Sequence, residues 1–114
     1  MSDPLVPEIE PREALQRVAG GAFLLDVREA HEWAAGHAEP AAWIPMGEVP
    51  ARISELPADR EIIVICKSGG RSRKVAEVLR GANLQALNLT GGSLAWHSDG
   101  LPFVTDDGLP GTIV

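Results

Sequence analysis

The chain has 114 residues, a net charge of −6 and a single cysteine. That length suits one domain, residues 1–114, able to bury roughly two-thirds of its unfolded surface without disulfide staples. The acidic balance argues against nucleic acid as a partner, one cysteine excludes an internal disulfide or a multi-cysteine zinc site, and no apolar run approaches the ~20 residues of a membrane span.

Residues 1–15 hold Asp3, Glu8, Glu10 and three prolines. With neither a basic start nor an apolar stretch, they do not read as a secretory leader. Together with the lone cysteine this favours a reducing compartment, and the expectation is a cytoplasmic protein. Residues 6–9 read as a short strand stopped by Pro11, which suits the first turn of a helix running through Ala14, Leu15 and Val18 to Gly20-Gly21. Residues 22–27 form an apolar run broken only by Asp26, the pattern of a strand buried on both faces of a parallel sheet. Residues 29–35 read as a short helix stopped at Gly36, 41–44 as another strand closed by Pro45, and 47–56 as a helix burying Val49, Ile53 and Leu56.

Residues 61–65 read as a strand and 71–80 as a helix burying Val75, Val78 and Leu79, with Gly81 as its stop. A further strand covers 85–89, and Thr90-Gly91-Gly92 turns into a last helix through Leu94 and Trp96. From Gly100 the chain is rich in Pro, Gly and Asp, and 102–114 reads as a surface-hugging or frayed tail. Strand and helix alternate with short connections, which predicts an α/β fold on a mainly parallel sheet.

Ligands of such sheets bind beyond the carboxyl ends of the strands. Two segments reach that edge together: Asp26-Val27-Arg28, and Cys66 followed by Lys67-Ser68-Gly69-Gly70-Arg71-Ser72. Backbone N–H groups of a tight loop, the positive end of a helix, Lys67 and Arg71 would converge there on one sulfur and favour its thiolate. Lys67, Arg71, Arg73, Lys74 and Arg80 concentrate positive charge in an otherwise acidic chain, which suits capture of a small anion. Arg73, Lys74 and Arg80 fit the solvated face of a helix, whereas Lys67 and Arg71 belong to the loop.

Other motifs carry less. His31 and His37 flank Glu32, but six positions put them about 120° apart around a helix, with Gly36 between, so they do not read as metal ligands. His97 is assigned no chemistry. Gly91-Gly92 lacks the Gly-Lys-Ser/Thr of a phosphate loop and reads as a turn. Trp33, Trp43 and Trp96 read as packing residues and not as a base-stacking platform.

Three segments taken together resemble the rhodanese family of sulfurtransferases in its single-domain form. They are Leu25-Asp26-Val27-Arg28-Glu29-Ala30-His31-Glu32-Trp33 with Gly36-His37 and Ile44-Pro45, then Val64-Ile65-Cys66 through Ser72, then Leu89-Thr90-Gly91-Gly92 with Trp96. The likeness covers residues from Pro7 to Pro102 and departs at Ala38-Glu39-Pro40-Ala41, where members usually carry a turn glycine; proline can also make a turn. The resemblance implies a three-layer sandwich with a mainly parallel five-stranded sheet and helices on both faces. It implies Cys66 as the nucleophile that carries sulfur as a persulfide, with Lys67, Ser68, Gly69, Gly70, Arg71 and Ser72 holding the substrate. Arg28 is by the same likeness either a substrate contact or half of a fold-stabilising ion pair. Asp26 and Glu32 are structural supports, Glu32 pairing with an arginine on the same rim.

No metal, nucleotide or flavin is implied. The implied partners are a small anionic sulfur donor and a thiophilic acceptor (cyanide, a thiol or a protein). Four residues separate Cys66 from Arg71, one fewer than in tyrosine phosphatases, so a phosphoryl or arsenate group would be crowded. The loop also lacks the Cys-Gly-Ser/Ala-Gly-Val-Thr type of mercaptopyruvate-specific relatives, which leans the donor toward thiosulfate or a protein persulfide. A protein-to-protein persulfide relay with little small-molecule turnover would use the same residues.

Overall fold

The computed structural model describes residues 6–114; positions 1–5, part of the stretch read as lacking a leader, lie outside them. In chain order the elements are β1 (Glu8–Ile9), α1 (Pro11–Ala19), β2 (Phe23–Asp26), α2 (Ala30–Ala35), β3 (His37–Ala38), β4 (Ala42–Trp43), two 3-10 turns (Met46–Glu48 and Pro50–Glu55), β5 (Ile62–Ile65), α3 (Gly70–Gly81), β6 (Ala86–Leu89), α4 (Gly92–Ser98) and β7 (Phe103–Val104). Five strands form one sheet in the order β1-β6-β5-β2-β4, and every neighbouring pair is parallel. β3 and β7 form a separate antiparallel pair.

Alternation along each central strand builds two cores. Leu25, Ile62 and Val64 point to the face covered by α3, where they meet Val75, Ala76 and Leu79. Leu24, Ile63 and Ile65 point the other way, to Ala14 of α1 and Trp96 of α4. Ile62–Ile65 is therefore an unbroken apolar run because both of its faces are covered. Each such side chain contributes about 1.5–3 kcal/mol of burial. Beyond the last ladder residues the strands stay in register: Val27 N–H donates to Ile65 O at 3.0 Å and Met46 N–H to Val27 O at 3.0 Å. This lays the segments after β2 and β5 side by side at the carboxyl edge.

Several expectations need correction. The stretch 47–56 is not an α-helix but two 3-10 turns that meet at Val49-Pro50 and contain a kink at Arg52. Pro50 has no N–H to give to a continuous helix. Val49 and Leu56 are nonetheless buried, while Ile53 is only partly so. Val78 is 49% exposed, because it lies about 110° around α3 from the centre of the Ser72–Val75–Ala76–Leu79 stripe. It borders a shallow groove with Met46, Val49, Pro50 and Lys74. The β3–β7 pair is an element the sequence pattern does not announce. At the departure noted above, Ala41 N–H donates to Ala38 O at 3.0 Å across Glu39-Pro40, and Glu39 N–H donates to Pro102 O at 3.0 Å.

The segment 102–114 is tied down. Phe103 is buried against Trp96 and Ala38, and Thr112 N–H donates to Ala35 O at 2.9 Å. Gly36 and Gly111 pass so closely that a Cβ on Gly36 would lie 2.7 Å from the Gly111 Cα. Among the described residues no helix is long and apolar enough to cross a membrane.

Candidate active site

Cys66 follows the last residue of β5 and faces the α3 side, 1% exposed. The chain must reverse within a few residues to start α3. It does so through Gly69, whose φ of 114° is a conformation L side chains rarely adopt. That reversal brings the Gly69 N–H to within 3.1 Å of Sγ, and the Ser72 hydroxyl, in the first turn of α3, lies 3.3 Å from it. Burial pushes the Cys66 thiol up, but hydrogen bonds from the Ser72 hydroxyl and from the backbone amides of Ser72, Gly69 and Ser68 outweigh it, and the net shift is downward. The loop and the helix start thus form a nest of donors around one sulfur.

Arg71 is placed differently from the expectation that its guanidinium would lie on the sulfur. Arg71 makes a bidentate pair with Glu32, 2.8 Å to Oε1 and 2.9 Å to Oε2. Its pKa is raised, first by the Glu32 hydrogen bond and to a lesser degree by the charge of Cys66, so it acts on the sulfur through space. Glu32 is held at about 2 by Arg71, against the cost of its burial. Glu32 Oε1 also accepts from the Glu29 N–H at 2.9 Å, the first turn of α2. Lys67 is half-buried in the loop and Ser68 and Gly70 are exposed at its crest.

Arg28 is fully buried, as is Asp26. Its Nε and Nη2 atoms bond the Asp26 carboxylate at 2.8–3.1 Å, and Nη2 also donates to Gly36 O at 2.8 Å. Asp26 Oδ1 accepts the Arg28 backbone N–H as well. Of the two roles open to Arg28, this geometry is that of the ion pair, which ties the end of β2 to the end of α2. His37 stacks on Trp33 at 3.5 Å and its Nδ1 meets Trp33 O at 3.1 Å, whereas His31 is exposed. Trp96 is buried and donates through Nε1 to Pro102 O at 2.9 Å.

Two features of the site escape a reading of the loop alone. Asn88, on the neighbouring strand β6, is 3% exposed and lies 2.5 Å from the Ser72 hydroxyl through Oδ1. Its Nδ2 donates to Gly69 O and to both carboxylate oxygens of Glu8. Gly92, the first residue of α4, passes against the loop: a Cβ there would lie 2.5 Å from both Cys66 O and Lys67 O. Those carbonyls accept the N–H groups of Ser93 (2.7 Å) and Leu94 (3.1 Å). The signal for Asn88 was a lone polar residue inside an apolar strand; the signal for Gly92 was a double glycine ahead of a helix. An open groove of about 810 Å³ lies at the opposite edge of the sheet, lined in part by Arg17, Glu61, Arg80 and Gln85, and Cys66 is not among its lining residues.

The rhodanese-like domain family matches residues 10–99. A sulfurtransferase of Allochromatium vinosum is 37% identical over 107 residues, covering 91% of this chain and 100% of that one. A putative sulfur carrier protein of Bacillus subtilis is 35% identical over 94 residues, covering 80% of this chain and 51% of that one. Among solved structures, a rhodanese-related protein from Thermoplasma volcanium superposes with a TM-score of 0.82 at 28% identity, covering 88% of this chain and 99% of that one.

Proposed function

Because the chain belongs to the rhodanese-like family, and sulfur transfer is what that membership supports, we propose that it carries a sulfane sulfur as a persulfide on Cys66. The donor is a small anion of the thiosulfate type, and the acceptor is cyanide, a thiol or a protein. The observation that carries this reading is the ring of donors about Sγ, with the Gly69 N–H at 3.1 Å and the Ser72 hydroxyl at 3.3 Å. The Cys66 thiolate attacks the outer sulfur of thiosulfate; a new S–S bond forms, the old one breaks, and sulfite leaves with the electron pair. The persulfide's outer sulfur carries the charge, and loop amides not engaged with Sγ are suited to hold it. An acceptor nucleophile then attacks that sulfur and Cys66 departs as the thiolate, a two-step covalent exchange. Lys67, Ser68, Gly70 and Arg71 border the approach; Asp26, Arg28 and Glu32 hold the frame. A working thiolate suits a reducing compartment, and we place the reaction in the cytoplasm. Residues 1–114 are taken as one rhodanese-like domain.

Intact mass spectrometry under non-reducing conditions tests the reading. After thiosulfate, the wild type gains the mass of one sulfur and Cys66→Ser gains none; no gain with any sulfane donor overturns it. A second reading, a relay between proteins, is favoured by the likeness to the putative sulfur carrier. Transfer from a protein persulfide without thiosulfate–cyanide turnover selects it.

A further inference from the structure

The Ser72 hydroxyl has one proton and two acceptors facing it, Cys66 Sγ at 3.3 Å and Asn88 Oδ1 at 2.5 Å. Asn88 cannot turn its amide to relieve this competition. Its Nδ2 faces Gly69 O at 3.1 Å and the Glu8 carboxylate oxygens at 3.1 and 3.2 Å. All of these only accept, so Oδ1 must face Ser72. Glu8 is held in turn by Arg73 at 2.8 Å and by the Thr90 hydroxyl at 3.0 Å. Ser72 and Asn88 are 0% and 3% exposed, so bulk solvent does not reach the hydroxyl to offer a third partner.

We propose that the Ser72 hydroxyl is a two-position switch, donating to Asn88 while Cys66 is a thiol or a persulfide and to Sγ when Cys66 is a thiolate. In the resting thiol the S–H proton points to Ser72 Oγ, and Ser72 gives its own proton to Asn88. On ionisation the thiol proton leaves to solvent, and the Ser72 proton stays on Oγ and rotates to the sulfur, giving up the short bond to Oδ1. When the outer sulfur of a persulfide takes the charge, Sγ no longer needs the donor and the hydroxyl returns. Asn88 is therefore a positioning residue that restrains the nucleophile, and Glu8 keeps its amide the right way round. The charged groups around the sulfur are Lys67 in the loop, Arg71 with its partner Glu32 from α2, and, beyond Asn88, Glu8 with Arg73. None of them is altered in the test below.

The inference deepens the reading of Cys66 as nucleophile, but its test uses no sulfur donor. With one cysteine and no tyrosine, the thiolate can be titrated by its ultraviolet absorbance and by the pH dependence of iodoacetamide alkylation in the whole chain. Ser72→Ala, which removes the donor, should raise the midpoint by about one pH unit, and Ser72→Thr should restore it. Asn88→Leu, which removes the competitor at similar volume, should lower it by about half a unit. A purely structural role would loosen the nest in both variants and move both midpoints up. That result, or an unmoved midpoint in Asn88→Leu, overturns the switch. Should Asn88→Leu not fold, the wild type decides: the Asn88 side-chain carbonyl and amide resonances must titrate with Cys66, and must stop doing so in Ser72→Ala. Resonances that ignore the Cys66 titration overturn it as well. Opposed shifts in a chain that takes up no sulfur keep the switch and remove the transfer reading; sulfur uptake without opposed shifts does the reverse.

Discussion

Glu32 joins two elements that would otherwise only lie near each other. Its carboxylate is 7% exposed and receives both terminal nitrogens of Arg71, so α2 is bonded to the first turn of α3 beside the nucleophile. Its folded pKa of about 2 is depressed from 4.5. The linked stability is therefore fully present above the ordinary value and is lost as pH falls through the folded one. Linkage gives about 3 kcal/mol for such a shift, and solvent at the partly exposed Arg71 end reduces this to about 2 kcal/mol. Glu32→Gln should lower stability by that amount at pH 7 in urea melts. It should also flatten the decline between about pH 5 and pH 2. A variant with the wild-type acid profile would show that the pair is a surface ornament. An arginine partner for Glu32 was legible, because a carboxylate and loop cations sit at one sheet edge. Which arginine it takes, and that Arg28 pairs with Asp26, depend on burial that spacing does not encode.

At the scale of elements, α4 contributes more to the site than its short length suggests. Gly92 allows its first turn to touch the cysteine loop, and the amides of Ser93 and Leu94 then hold the carbonyls of Cys66 and Lys67. Gly92→Ala puts a carbon 2.5 Å from two carbonyl oxygens, and backbone atoms cannot step aside as a side-chain tip can. We expect it to reduce sulfur uptake on Cys66 about tenfold or more at unchanged helix content, read by intact mass and circular dichroism. Gly47→Ala, which meets nothing within 4 Å, is the control; equal behaviour of the two would remove α4 from the site. The strands of the five-stranded sheet and the extent of α3 could be read directly, since 62–65 is uniformly apolar and α3 has helical period, but Val78, read into its buried stripe, is exposed. The region 47–56 could not, because its apolar spacing fits a helix while Pro50 denies one. β3 and β7 are too short to carry any alternation, and they pair only because the fold brings them together.

Across the whole molecule, the stretch after Gly100 closes the carboxyl edge. Phe103 fills the core beneath α4, and Gly111 passes Gly36 at the end of α2. A Cβ on Gly111 would lie 2.8 Å from the Gly36 Cα and 3.0 Å from the Phe103 ring. Gly111→Val should cost about 2–3 kcal/mol, seen as a lower urea midpoint; an unchanged midpoint would mean that the clasp bears no load. Composition pointed to a surface-hugging or frayed tail here; Phe103–Val104 instead pairs with β3, and the surface the stretch covers lies far back in the chain and leaves no local trace. The two layers also settle something finer. A peptide unit is flat and trans, so its oxygen and its hydrogen point in opposite directions. With the Lys67 oxygen tethered by Leu94, the Ser68 hydrogen is turned back toward the sulfur. Part of the electropositive character at the nucleophile therefore comes from how α4 docks on one side of the sheet while α3 springs from the other, and added electrolyte, which screens formal side-chain charges such as that of Arg71, leaves those oriented dipoles standing.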